Sequence, residues 1–178
     1  MKMTNMILCT DLNGGLGYKG QLLYHIPEDL KRFKELTTGN VVLMGRKTFE
    51  SLGSKPLPKR INLVASSTLD KIINKEFYEN EGISTSLIID NNKCLDEFFV
   101  KNKLTKKDVF IIGGQSIYKY YINKVDKVYL TLVLDESKDH DAEFNFKLYE
   151  DDFILESSEL KFNEENNVWY QFKNYIRK

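Results

Sequence analysis

Four short runs in this chain are apolar almost throughout, so the strands they imply have no face that could meet water. They are Met6-Ile7-Leu8-Cys9, Val41-Val42-Leu43-Met44, Ile61-Asn62-Leu63-Val64-Ala65 and Val109-Phe110-Ile111-Ile112. Strands of this kind belong to parallel sheets covered by helices on both faces. Helical signals stand between them. Pro27-Glu28-Asp29 places proline and two acids in a first turn, and Leu30, Phe33 and Leu36 supply an apolar stripe. Helices are also expected after Gly45 and after Gly113-Gly114, and the glycine-rich stretch 11–20 reads as a long loop. Residues 86–89 read as one more short strand, and 94–103 as a helix with Leu95, Phe98 and Phe99 inward. Beyond residue 127 the pattern changes to strands at 128–134, 153–162 and 168–176, the last two joined by the polar turn 163–167. The expected fold class is α/β: a single domain over residues 1–178, with a mainly parallel central sheet flanked by helices and an antiparallel C-terminal hairpin.

Charge narrows the function. Lys plus Arg and Asp plus Glu each number 26 in 178 residues, so the formal net charge is zero. Such a chain lacks the basic excess that binding to duplex nucleic acid or a membrane surface requires. No run approaches the eighteen apolar residues of a membrane span, and no secretory h-region precedes Asp11. The two cysteines and two histidines are scattered, which argues against a disulfide scaffold or a zinc module. The expectation is a cytoplasmic monomer that handles a small molecule, with no nucleic-acid, membrane or metal partner.

Two strand–glycine–helix junctions could carry that chemistry: Met44-Gly45-Arg46-Lys47-Thr48 and Ile112-Gly113-Gly114-Gln115-Ser116. First-turn amides without helical partners attract anions, and glycine lets a phosphate approach the backbone. Either junction alone could be a plain tight turn. Together with Arg46, Lys47 and the Ser66-Ser67 pair, they favour a dinucleotide carrying an extra phosphate. Asp29 could simply complement its helix dipole. Its apolar neighbours, Leu22, Leu23, Tyr24 and Phe33, also suit a carboxylate that binds a flat, amidine-like heterocycle by two parallel hydrogen bonds. His25 reads as a surface or capping residue and His140 as part of a charged loop. Lys103, Lys106 and Lys107 read as a solvated turn, and Tyr118, Tyr120 and Tyr121 as core.

Several segments, in order, resemble dihydrofolate reductase. Leu16-Gly17 leading to Leu22-Leu23-Tyr24-His25-Ile26-Pro27-Glu28-Asp29-Leu30 is similar to the family's active-site loop and following helix. Met44-Gly45-Arg46-Lys47-Thr48-Phe49-Glu50-Ser51-Leu52-Gly53 is similar to its MGRxTxESIG segment. Pro56-Leu57-Pro58-Lys59-Arg60-Ile61-Asn62, Ile112-Gly113-Gly114-Gln115-Ser116-Ile117-Tyr118 and Tyr129-Leu130-Thr131 match three further motifs. Five motifs in the right order and spacing are a specific signature.

The resemblance implies reduction of 7,8-dihydrofolate to tetrahydrofolate by NADPH, in support of one-carbon metabolism, and sensitivity to antifolates. Asp29 would hold the pterin, with Thr131 bridging, and Tyr24 and Leu22 of the loop would complete the catalytic set. Ile7, Ile112 and Tyr118 would line the pterin pocket. Leu30, Phe33, Leu52 and Leu57 would wall the benzoyl part, and Arg60 would pair the glutamate carboxylate. Cys9, Gly15, Leu16 and Gly17 would meet the nicotinamide. Lys47 and Thr48 would meet one phosphate, and Gly113, Gly114, Gln115, Ser116, Ile117 and Tyr118 the pyrophosphate. Arg46, Ser66 and Ser67 would take the 2′-phosphate. A cis Gly113–Gly114 peptide is also implied. The chain departs from the family where Leu22-Leu23-Tyr24 replaces the usual Leu-Pro-Trp, where an extra residue enters near Ser54-Lys55, and where Ser116 replaces an Arg found in some members. Its hydroxyl would let Tyr24 order the water that protonates pterin N5. The rival readings are a reductase of the riboflavin-pathway pyrimidine type and a nucleotide-binding module without catalysis.

Overall fold

A computed structural model describes residues 3–65, 85–89, 106–136 and 138–178. Its strands are β1 (Thr4–Thr10), β2 (Gly15–Tyr18), β3 (Gln21–Leu22), β4 (Val41–Gly45), β5 (Ile61–Ala65), β6 (Thr85–Ile89), β7 (Val109–Gly113), β8 (Lys127–Val133), β9 (Ala142–Glu143), β10 (Phe153–Asn163) and β11 (Val168–Arg177). Three α-helices are described: α1 (Pro27–Thr37), α2 (Arg46–Ser51) and α3 (Gln115–Tyr121). Eight strands form one sheet in the order β10-β11-β8-β1-β7-β4-β5-β6. The pairs from β8 across to β6 are all parallel, whereas β11 runs antiparallel to both β8 and β10. The expected mixed sheet with its closing hairpin is therefore present. The expected helix at 94–103 and the Ser66-Ser67 pair lie outside the described residues.

The apolar runs are explained by burial on both faces. Side chains alternate across a strand. Met6 and Leu8 of β1, Val41 and Leu43 of β4, and Val109 and Ile111 of β7 pack on one side with Ile117, Tyr118 and Ile122 of the α3 region. Ile7, Val42, Met44 and Phe110 pack on the other side with Phe33 and Leu36 of α1 and Phe49 of α2. The helices α1 and α2 thus border one side of the sheet.

Two expectations need correction. The glycine-rich stretch after β1 is not wholly a loop, because β2 pairs with β3 and also with β9 in a separate three-stranded sheet. Four-residue β2 has no apolar alternation to announce it, and its partner β9 comes from 125 positions away. In the aromatic cluster, Tyr118 is core, but Tyr120 is exposed, with the Lys124 ammonium 3.9 Å from its ring centroid. A tyrosine two positions along a helix from a buried one faces away from it.

Candidate active site

Asp29 lies in the first turn of α1, where Pro27 at the start of the helix and the acids Glu28 and Asp29 suit the free amides. One of its oxygens, Oδ1, accepts a hydrogen bond of 2.5 Å from the Thr131 hydroxyl on β8. Thr131 is fully buried at the centre of the sheet. Burial raises the Asp29 carboxyl above its ordinary pKa, while the Thr131 hydrogen bond and the Arg32 charge pull it back down. A partly buried carboxylate with one oxygen tied and the other unclaimed by Thr131 is suited to a planar donor pair.

Around it, Ile7 comes from the middle of β1 and Ile112 from near the end of the adjacent β7, and Phe33, Leu57 and Ile112 pack on the same side as Ile7. The Tyr118 hydroxyl crosses beneath them and donates to the Ile7 carbonyl at 2.8 Å. Burial raises the Tyr118 pKa strongly, so it serves as a fixed donor. Leu22, Leu30 and Leu52 are exposed. Arg60 is buried with its guanidinium 5.5 Å from the Phe33 ring centroid, and its Nε has no hydrogen-bond partner among the described residues. A guanidinium carries parallel donors that match the two oxygens of a carboxylate.

Asn62 was missed as a functional support. It is fully buried; its Oδ1 accepts from the Leu57 amide at 2.9 Å, and its Nδ2 donates to the Leu57 and Arg60 carbonyls at 3.0 and 3.2 Å. It therefore pins the loop at Leu57 and Arg60. A buried polar residue inside an otherwise apolar run was the signal in the sequence.

The two glycine junctions are neighbours, since β4 pairs with β7 through Met44 and Gly113. The Gly113–Gly114 peptide is cis, as the resemblance implies. Gly113 has φ of +116°, and a Cβ there would stand 3.1 Å from the Tyr118 hydroxyl. A Cβ on Gly114 would stand 3.3 Å from Thr48 Oγ1. The glycines thus keep bare backbone beside the Thr48 hydroxyl and the leading amides of α3, Gln115 and Ser116. That surface fits a dinucleotide's phosphates. Lys47 is exposed, and Arg46 is half-exposed with Nη1 3.0 Å from Glu50 Oε1, a weak surface pair that a phosphate could displace. Ile117 packs in the core against Gly45.

The loop over the site is held from the far side. Asp11 is buried, and its Oδ1 accepts from the amides of Asn13 and Gly15. The 134–145 segment binds the loop through Phe144 N to the Gly14 carbonyl, Asp141 N to the Gly17 carbonyl and Lys19 N to Asp141 Oδ2. A Cβ on Gly17 would lie 2.6 Å from the Gln21 carbonyl, so glycine permits this tight hairpin. Gly15 and Leu16 lie on β2, and Cys9 at the end of β1 has a thiol pKa raised chiefly by burial, then by Asp29 and Asp11. Cys9 therefore stays neutral.

Tyr24 takes a place that the sequence did not reveal. Its ring is buried with Ile26, Val133 and Tyr170, and its hydroxyl donates to Asp135 Oδ2 at 2.8 Å. The Lys138 ammonium lies 3.9 Å from the Tyr24 ring centroid and donates to the Leu23 carbonyl at 2.6 Å. With its proton given to Asp135, the phenol offers a nearby water only its lone pairs. His25 is exposed beside Glu165, as expected, and lies outside this constellation. His140 is partly buried, with Nε2 3.7 Å from Glu143.

A groove of about 410 Å³ lies between α1 and β10–β11, lined by Glu28, Arg32, Ser157 and Asn174 among others, and its lining does not include Ile7, Phe33 or Ile112. No group of metal-ligating side chains occurs among the described residues, and no described helix is long and apolar enough to cross a membrane.

Comparison with known proteins identifies the chain's relatives. The dihydrofolate reductase family model matches residues 3–177. Dihydrofolate reductase of Staphylococcus aureus is 34% identical over 174 residues, covering 98% of each chain. The bifunctional dihydrofolate reductase-thymidylate synthase of Paramecium tetraurelia is 33% identical over 179 residues, 99% of this chain but 35% of that protein. The structure of Enterococcus faecalis dihydrofolate reductase, complexed with NADP(H) and RAB-propyl, superposes with a TM-score of 0.79 at 28% identity, covering 99% of this chain and 96% of that one. With one family model spanning nearly all its residues and full-length relatives above 30% identity, this chain belongs to the dihydrofolate reductase family.

Proposed function

We propose that this chain reduces 7,8-dihydrofolate to tetrahydrofolate with NADPH, as a single reductase domain. The observation that carries the reading is the buried Thr131–Asp29 pair set in an apolar cleft beside a double-glycine phosphate surface. Bound NADPH supplies the hydride, which pterin C6 receives. The chain's own residues do the rest. Asp29 accepts the pterin N3–H and 2-amino hydrogens, and Thr131 fixes the carboxylate's angle. Ile7, Ile112 and Tyr118 hold the ring flat, while Leu30, Phe33, Leu52 and Leu57 wall the benzoyl group. Arg60 forks to the glutamate carboxylate.

On the cofactor side, Thr48, Lys47 and the residues from Gly113 to Tyr118 hold the phosphates, and Arg46 with Ser66 and Ser67 takes the 2′-phosphate. Cys9, Gly15, Leu16 and Gly17 offer a neutral wall to the nicotinamide. Leu22 and its hairpin close the cleft against bulk water. Tyr24 holds a water by its phenol lone pairs, and that water passes a proton to N5. The same pterin cleft takes antifolate inhibitors. The protein works as a monomer in the cytoplasm.

Loss of NADPH absorbance on addition of dihydrofolate tests the reading. Turnover with dihydrofolate and none with a ribosylamino-pyrimidine supports it. The reverse preference would assign the chain to the pyrimidine-reductase type, and no turnover with either would leave a binding module.

A further inference from the structure

Arg32 stands one helical turn after Asp29 on α1, and its partly buried guanidinium is held by neighbours from β8 and β11. Nη1 donates to Thr131 Oγ1 at 3.4 Å, and Nη2 donates to Asn174 Oδ1 on β11. The guanidinium carbon lies 4.4 Å from the Phe172 ring centroid and 5.7 Å from that of Tyr129. Asn174 is itself anchored, its Nδ2 donating to Ser157 Oγ at 2.8 Å. These contacts hold a cationic donor against the back of the Thr131 oxygen. That same oxygen carries the hydrogen given to Asp29 at 2.5 Å. A hydroxyl that accepts from a cation becomes a stronger donor, so hydrogen bonds in such a chain reinforce one another.

We propose that Arg32 is a positioning residue of the reductase: it holds and polarises the Thr131 hydroxyl and so keeps the Asp29 carboxylate ionised and aimed at the pterin. The proposal rests on the reading of Asp29 as the pterin-binding group. The surroundings support it. Cys9 of β1, Tyr118 of α3, Tyr129 of β8, Tyr170 of β11 and Glu159 of β10 face Asp29 or Arg32 and are neutral or acidic. Glu28 accepts from the Tyr170 hydroxyl, and Lys161 is taken up by Glu28 and Glu159, 3.9 and 3.3 Å away. Among the described residues, Arg32 is the cation whose field opposes the burial of Asp29.

The test is a carbon-13 NMR titration of the Asp29 carboxyl, assigned by its absence in Asp29→Asn, in wild type and in Arg32→Gln. The pH profile of kcat/KM for dihydrofolate is recorded in parallel. The expected result is an upward shift of the Asp29 midpoint in Arg32→Gln, with a matching shift in the kcat/KM profile and an unchanged KM for NADPH. A folded Arg32→Gln enzyme whose Asp29 titrates at the wild-type midpoint overturns the proposal. If Arg32→Gln does not fold, Arg32→Lys keeps the charge and the ring contact but loses the two-pronged donation. Its Asp29 midpoint must then lie above that of wild type, and coincidence with wild type overturns the proposal. A midpoint that shifts without any change in the kcat/KM profile would uphold the Arg32 contact while removing Asp29 from pterin binding.

Discussion

Replacing Asp29 by Asn separates the carboxylate's chemistry from its part in the helix start. Asn is nearly isosteric and still accepts from Thr131, so the 2.5 Å contact has a counterpart in the variant. Toward the pterin, however, the second oxygen becomes an NH2 group that cannot accept. One charge-assisted hydrogen bond, worth about 1.5–3 kcal/mol, is lost. The other falls from a charged to a neutral bond, about half as strong, which removes roughly 1 kcal/mol more. The sum is about 2.5–4 kcal/mol, or roughly 10²–10³-fold in kcat/KM for dihydrofolate.

Stability should move the other way. Burial raises the Asp29 carboxyl above its ordinary pKa, so the folded chain holds that proton more tightly than the unfolded chain does. Its contribution is whole below the unfolded pKa and is lost as pH rises through the folded value. Asn suffers no such loss. The Tm of Asp29→Asn relative to wild type should therefore rise from acid to neutral pH, while activity per folded molecule falls. Thermal melts across that range and steady-state kinetics with dihydrofolate at neutral pH make the check. A variant that melts lower at neutral pH and turns over normally per folded molecule would show that Asp29 serves the helix alone.

Tyr24→Phe removes the 2.8 Å bond to Asp135 and should cost about 1 kcal/mol of stability, with hydride transfer slowed modestly and chiefly at higher pH. A pre-steady-state rate unaltered across the pH range would confine Tyr24 to packing. Arg46→Ala should raise the KM for NADPH roughly tenfold, the low end for a charged hydrogen bond, and leave that for NADH nearly unchanged. Equal effects on the two would place the 2′-phosphate elsewhere. Asn62→Ala removes three hydrogen bonds to the Leu57–Arg60 loop, at about 0.5–1.5 kcal/mol each. Melting should occur earlier and KM for dihydrofolate should rise more than kcat falls, whereas an unmoved KM would show that the loop holds its shape unaided.

The central sheet was legible because β1, β4, β5 and β7 are buried on both faces, and double burial leaves little but Val, Ile, Leu and Met at successive positions. The Asp29 helix start and the glycine junctions were legible for a similar reason: backbone geometry restricts which residues can stand there. Less could be read where tertiary partners decide. Strand β2 exists because Gly15 and Gly17 meet Glu143 and Ala142, residues with no periodic signal of their own. Tyr24 appeared free to bind water until Asp135, on a distant loop, claimed its proton. Arg32 passed as one more polar residue on a helix, since its role depends on Phe172 and Asn174 from the C-terminal strand.

The destination of the hydride is the decisive observable. NADPH carrying deuterium at nicotinamide C4, incubated with the protein and 7,8-dihydrofolate in ordinary water, should yield tetrahydrofolate labelled at C6, as read by proton NMR of the product. Asp29→Asn should form the same labelled product far more slowly. Oxidation of NADPH without label at C6, or tetrahydrofolate whose C6 hydrogen derives from solvent, would contradict the site as described.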